Sequence, residues 1–235
     1  MGPVERSIPS LLDLMHKYDC SPSDGRHLTA EQIYESTSIS YEQYLAILQE
    51  WKDAERANRN QAAMREMDDE SERLKSRMAH AGVPQRFTSC VVNNTQGRAL
   101  DSGRWLYVTG TDVNRVTTEA CGHLKGWLSR NGYGAATFAS SPSVTSERGD
   151  GEMVRQCSNV GMLLLSGLGA EHPSSWAVSL LHQVLGHRFG IPLPTIITSR
   201  YQPEELASHL AVSGNEAAVR DIMDWLRTQS LLIQT

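Results

Sequence analysis

No stretch of this sequence stays apolar for the roughly 20 residues that a membrane-spanning helix needs. Its first residues, MGPVERSIPSLLDLMHKYD, lack the apolar centre of a secretory signal. No membrane role is expected, and the cytoplasm is the expected compartment. Cysteine is scarce: Cys20, Cys90, Cys121 and Cys157 lie far apart and form no C-x-x-C pair. That argues against a zinc ribbon and against a disulfide scaffold, and each thiol reads as buried or half-buried. An excess of positive charge is missing too. The net charge is −5, so no global basic field gathers nucleic acid, and a DNA contact would have to be a local patch. His182 and His187 stand five apart, not at the i, i+3 or i, i+4 spacing of a helical metal pair, and read as helix-surface or helix-end residues. The serines of Ser140–Ser146 have no G-x-S-x-G elbow around them and read as a flexible loop.

What is present is enough apolar residue, 40%, for a packed core, with 21% charged residues in a chain of 235. That fits one domain of ordinary size with an appendage. The stretch that organises the rest is Trp105–Thr118, WLYVTGTDVNRVTT. An apolar run ends in a small-residue turn and passes into a helix-forming segment, the shape of a phosphate-binding strand–loop–helix. A working loop reads G-x-x-x-x-G-K-[S/T]; its glycines let backbone N–H groups close on phosphate, and its Lys reaches the terminal phosphates. Here Gly110 opens the loop and Thr117 or Thr118 closes it, with Thr111, Asp112, Val113 and Asn114 between. Arg115 stands where the second Gly belongs, and Val116 where the Lys belongs. The frame is that of an ATPase, without its chemistry.

Residues 1–80 read as a helical arm. Ile8, Leu11, Leu12 and Met15 fall at helical spacing, and SPSDGR (Ser21–Arg26) breaks the chain. Leu28–Trp51 reads as two helices, the first capped by Thr29 with Gln32 three residues on, the second capped by Ser40. Ala30–Leu48 has the outline of a helix-turn-helix, which would lay Ser40–Leu48 in a major groove. Ser38 stands where Gly is usual, however, and the second helix carries Glu42 and no Lys or Arg. A DNA reader needs basic contacts to phosphate. A small docking module for protein is therefore the favoured reading, with Tyr41, Tyr44, Leu48 and Trp51 as anchors. Lys52–His80 is dense in alternating charge and poor in apolar residues, as one long solvated linker helix would be.

From Ala81 strands alternate with helices. Strand candidates are Trp105–Thr109, Ala135–Ala139, Gly161–Leu165, Thr195–Thr198 and Leu231–Ile233. Helix candidates are Thr117–Asn131, Ser174–Phe189, Pro203–Leu210 and Glu216–Arg227. In Ser174–Phe189 the core side is expected to hold Trp176, Leu180, Leu181, Val184, Leu185 and Phe189. This alternation implies a doubly wound α/β domain over residues 81–235.

Three segments resemble the bacterial DnaC/DnaI/IstB family of AAA+ ATPases, which load the replicative helicase or assist a transposase. AGVPQRF (Ala81–Phe87) looks like the approach to that family's strand–loop–helix. LLLSGLGAEHPSSW (Leu163–Trp176) looks like its Walker B strand with the following D-D-L-G-x-E-x-x-x-x-W. LPTIITSRYQPEEL (Leu193–Leu206) looks like its sensor strand, T-I-x-T-S-N-x-x-x-x-E-L. The resemblance covers Ala81–Thr235 and implies an AAA+ RecA-like P-loop NTPase fold, a doubly wound parallel sheet with an N-terminal helical arm. It also implies that the two Walker B acids, which hold Mg²⁺ and prime water, correspond to Ser166 and Gly167. The sensor Asn corresponds to Arg200, and the late S-R-L to Asp224-Trp225-Leu226.

Together these departures imply a pseudo-ATPase for which no cofactor is expected. It would act through a replicative helicase, a loader or a transposase. Arg115 and Arg200 could still meet a phosphate, so weak binding of ATP and Mg²⁺ stays open as an alternative. So does a divergent ATPase using Arg115 with Asp112 or Glu171, and a DNA-binding regulator using Ala30–Leu48. Self-association is a further open expectation.

Aromatic anchors concentrate binding energy at protein interfaces. The double change Tyr44→Ala and Trp51→Ala is therefore expected to abolish partner binding and to leave any DNA affinity unchanged, in protein shown by circular dichroism to be folded. Loss of DNA affinity with partner binding intact would instead support the helix-turn-helix regulator.

Overall fold

The computed structural model describes residues 41–132, 134–146 and 151–235. The expectations for residues 1–40, including the first helix of the suggested helix-turn-helix, lie outside the described residues. The chain divides into two compact units, Met1–Glu70 and Ser71–Thr235. Helix α1, Tyr41–His80, is continuous over 40 residues, about 60 Å at the usual rise. It replaces the separate second helix and linker helix read from the sequence. No Gly or Pro interrupts it, and Ala, Glu, Arg, Gln and Met favour it throughout. Tyr41, Tyr44, Leu48 and Trp51 lie on this helix; their side chains lie outside what is described. Residues 56–70 are all exposed, including Met64 and Met67.

The second unit begins at Ser71, ahead of the boundary at Ala81 expected from the sequence, because Leu74 and Met78 are buried in its core. Five parallel strands form its sheet: β1 (Trp105–Thr109), β2 (Ala136–Ser140), β3 (Met162–Ser166), β4 (Thr195–Ser199) and β5 (Ser230–Gln234), in the order β2-β3-β4-β1-β5. Every residue of β1 and β4 is buried, so WLYVT and TIITS need no polar face and show no alternation. The edge strand β2 alternates half-buried with buried residues.

The helices of this unit follow as α2 (Gln85–Thr88), α3 (Gly97–Asp101), α4 (Val113–Arg130), α5 (Ser141–Val144), α6 (Gly151–Asn159), α7 (Ser175–Gly190), α8 (Pro203–Ala211) and α9 (Glu216–Gln229). The connection from β1 to β2 crosses the sheet in one direction; all later connections run in the other. Right-handed crossovers then require α4 and the later helices to cover opposite faces. The two cores show this. Leu106, Val108, Leu164 and Ile196 pack with α4, while Tyr107, Leu165 and Ile197 pack with α6 to α9.

Two local expectations are corrected. Ser141–Val144 forms a helical turn instead of a loop, because the Ser140 hydroxyl accepts from the Ser143 N–H at 3.2 Å. On α7, Trp176 and Phe189 do not face the core; they are 55% and 41% exposed. The inward stripe is Ala177, Val178, Leu181, Val184, Leu185 and Arg188. Arg188 takes the position after Val184 and Leu185 on that stripe, which turns Phe189 outward.

Arg188 is fully buried. Its Nε donates to Thr195 Oγ1 at 2.9 Å, and its Nη2 to the Pro194 carbonyl at 2.7 Å. Its Nη1 donates to the carbonyls of Cys157, Ser158 and Val160 at 3.0, 3.5 and 2.7 Å. The first two of these carbonyls end α6, where a cation opposes the negative end of the helix dipole. Burial pushes the guanidinium pKa down to about 10, so it stays charged at neutral pH. Arg188→Met leaves these acceptors without donors. It is expected to cost about 3–5 kcal/mol in urea unfolding, with Arg188→Lys intermediate because it keeps the charge but not the fork. A loss under about 0.5 kcal/mol would show the site is not needed for stability.

Candidate functional site

In an open α/β sheet, ligands bind beyond the carboxyl ends of the strands, where successive connections diverge. Here that place lies at the end of β1, with α4 leaving to one face and β4 and β5 on either side. A hollow of about 70 Å³ opens there, against roughly 300–1,000 Å³ for ordinary small-molecule sites. Its lining brings together Gly110, Val113 and Val116 after β1, Gly167 after β3, and Arg200 after β4. Three segments far apart in the sequence thus meet at one point. Ser166, the last residue of β3, is half-buried beside Gly167.

The loop after β1 is short. Helix α4 already begins at Val113, and Asp112 is its N-cap. The Asp112 carboxylate accepts from the N–H groups of Asn114 and Arg115 at 2.9 and 3.2 Å. Backbone donors of this kind are what a phosphate meets at a helix N-terminus; in this chain a side-chain anion holds them. Val116 is buried and packs into the core under α4. The Thr117 and Thr118 hydroxyls donate back along their own helix, to Val113 at 2.7 Å and Asn114 at 2.8 Å. Thr111, Asp112, Asn114 and Arg115 are exposed and do not line the hollow. Gly110 is required on steric grounds: a Cβ there would lie 2.6 Å from the Thr235 backbone oxygen. That residue is drawn in by its N–H, which donates to Thr109 O at 2.9 Å.

The turn after β3 is held by β4. The Gly167 N–H donates to Thr198 Oγ1 at 2.9 Å, and the Leu168 N–H to Thr198 O at 2.8 Å. Ser199 Oγ donates to Leu168 O at 2.7 Å. Gly167 has φ 76° and Gly169 φ 87°, the left-handed region that glycine enters without strain. Glu171 has no partner legible in the sequence, yet the structure supplies one. Its buried carboxylate accepts from the Gly169 N–H, at 3.1 and 3.0 Å to its two oxygens. No acidic residue lines the hollow among the described residues.

Side chains that the motif reading passed over position the exit of β4. The hydroxyls of Tyr107 and Thr109 both donate to the Tyr201 carbonyl, at 2.8 and 3.0 Å. Burial pushes the Tyr107 pKa up to about 12, so it remains a donor. Only their polar hydroxyls within a fully buried strand could have marked them. Asp224, Trp225 and Leu226 do not line the hollow. They lie on α9, where Trp225 stacks on Phe189 with ring centres 5.7 Å apart and meets His182 at a tilt with ring centres 4.9 Å apart. His182 contacts Asp221 at 2.9 Å. Among the described residues no group of three or more His, Cys, Asp or Glu could hold a metal ion, and no helix is long and apolar enough to cross a membrane.

The class defined by this sheet order is the doubly wound, parallel α/β domain. Within it the fold is like that of DnaI. The chain is similar to the crystal structure of DnaI, with a TM-score of 0.52 and 20% identity over 64% of this chain and 90% of that chain. It is also similar to the crystal structure of the DnaC helicase loader, with a TM-score of 0.49 and 22% identity over 64% of this chain and 99% of that one. A protein of Streptococcus pyogenes serotype M3, described as a primosome component, gives 0.47 and 16% over 65% and 88%. No protein-family model and no curated protein matches the sequence. At these identities the likeness is one of fold.

Replacing an N-cap Asp by Ala usually costs about 1 kcal/mol. Asp112→Ala is expected to lower unfolding stability by that amount, and Asp112→Asn by less, in chemical denaturation. Equal losses for both would show that the cap acts through charge alone.

Proposed function

We propose that this chain is a catalytically inactive, helicase-loader-like AAA+ protein that works in DNA replication or transposition by binding other proteins in the cytoplasm. One observation carries the reading: the hollow at the end of β1 is furnished from within. Asp112 holds the helix N–H groups, Val116 lies in the core where a Lys would reach phosphate, and Ser166 and Gly167 offer no carboxylate to Mg²⁺. Phosphoryl transfer depends on positioning and on neutralising charge at the transferred group. A charge-assisted hydrogen bond contributes roughly 1.5–3 kcal/mol. Losing two or three of them weakens binding by about 5 kcal/mol, several thousandfold. The proposed partner is a replicative helicase, an active loader or a transposase, engaged through the N-terminal helical arm; DNA is the lesser candidate. The resemblance of Leu163–Trp176 and Leu193–Leu206 to the helicase-loader family supports this choice of partner class.

A second reading, weak nucleotide binding without turnover, draws on Arg200, which is exposed and lines the hollow, and on exposed Arg115 in the first turn of α4. The two readings part in a calorimetric titration with Mg-ATP and a phosphate-release assay. The expected result is no heat of binding at millimolar nucleotide and no phosphate above a buffer control. Micromolar binding that Arg200→Ala removes would establish the second reading. Phosphate release that Thr117→Ala removes would overturn inactivity.

A further inference from the structure

Strand β5 closes one side of the sheet and, among the described residues, pairs with β1 alone. At the opposite edge, the Phe138 N–H of β2 is taken by the Ala81 carbonyl at 2.6 Å. The register of β5 tells which of its groups face outward. Thr109 stands opposite Gln234, and the Thr235 N–H donates to Thr109 O at 2.9 Å. Along a strand, the N–H and C=O of one residue share a side, and successive residues alternate. Leu231, Ile233 and Thr235 therefore turn their backbone groups to β1, while Ser230, Leu232 and Gln234 turn theirs outward. The Ser230 N–H goes to Leu226 O of α9. The N–H and C=O of Leu232 and Gln234 have no hydrogen-bond partner among the described residues.

Proteins blunt such an edge with Lys, Pro, bulges or covering elements. SLLIQ has no charge and no Pro, and its pairing with β1 is unbroken from Ser230 to Gln234. Leu232 is 50% exposed.

We propose that this edge pairs antiparallel with the same edge of a second copy, about a two-fold axis through Leu232. The strand is self-complementary in that register. Leu232 of each copy exchanges N–H···O bonds with Leu232 of the other, and each Gln234 N–H meets a Ser230 carbonyl. Leu231 stands opposite Ile233, apolar against apolar, and the uncharged strand sets no like charges face to face. Because both copies use the same edge, the isologous contact closes at two copies instead of growing into a filament. One short strand buries less than the roughly 1,200–2,000 Å² of stable complexes, so the dimer forms reversibly and depends on concentration.

Sedimentation velocity of the full chain over a concentration series tests this. The expected result is a reversible monomer–dimer equilibrium. Leu232→Lys and Leu232→Glu each weaken the dimer by about tenfold or more, through like charges directly opposite on the axis, and an equimolar mixture of the two variants regains it. Circular dichroism checks that each variant is folded. If the charged variants fail to fold, Leu232→Pro decides: it removes only an outward N–H, which an edge strand tolerates, and it too is expected to shift the equilibrium to monomer. A wild-type chain that stays monomeric throughout overturns the proposal. So does a dimer that none of these substitutions weakens, and so do charged variants that remain monomeric when mixed.

Discussion

A positive charge is sealed beneath this sheet with only neutral oxygens around it. The Arg188 guanidinium holds carbonyls at the end of α6 and just before β4, together with the Thr195 hydroxyl. A carboxylate partner would neutralise the charge, but it could not also satisfy backbone groups from several segments at once. The flat fork of arginine can, because its donors are fixed relative to one another. Removing it would leave buried acceptors that no relaxed water could reach without opening the core. The ends of α6, α7 and β4 are thus held in register at the amino side of the strands, and their carboxyl sides are free to vary in chemistry.

At those carboxyl ends the chain partners its own groups. The Asp112 carboxylate caps the start of α4, the Val116 side chain lies in the core, and strand hydroxyls grip the turn after β3. Buried and half-buried polar groups must find partners somewhere. A loop that closes on its own side chains keeps its shape with nothing bound. That is what the proposed role, protein contacts without nucleotide, requires.

The sheet was largely legible in the residues. β1 and β3 are near-continuous apolar runs of the length a doubly covered parallel strand needs, and α4 and α9 carry clear apolar spacing. Trp176 and Phe189 misled because periodicity alone cannot tell which residue of a wide apolar face turns inward; a buried Arg188 on that face shifts the inward stripe away from them. The meeting of Gly110, Gly167 and Arg200 followed from their motifs and strand ends. The Asp112 cap and the Glu171–Gly169 bond did not, since both depend on where a loop turns and not on which residues it contains. The single helix α1 joined two segments that differ in composition but contain no breaker.

Gly110 shows how one residue type can serve opposite ends. In a phosphate loop, a glycine clears room for a ligand's oxygen. Here the room is taken by the backbone oxygen of Thr235, which a side chain at residue 110 would strike. A side chain at residue 110 would therefore have to push Thr235 off its bond to Thr109, and a pattern search that rewards this glycine scores a self-contact as though it were a ligand.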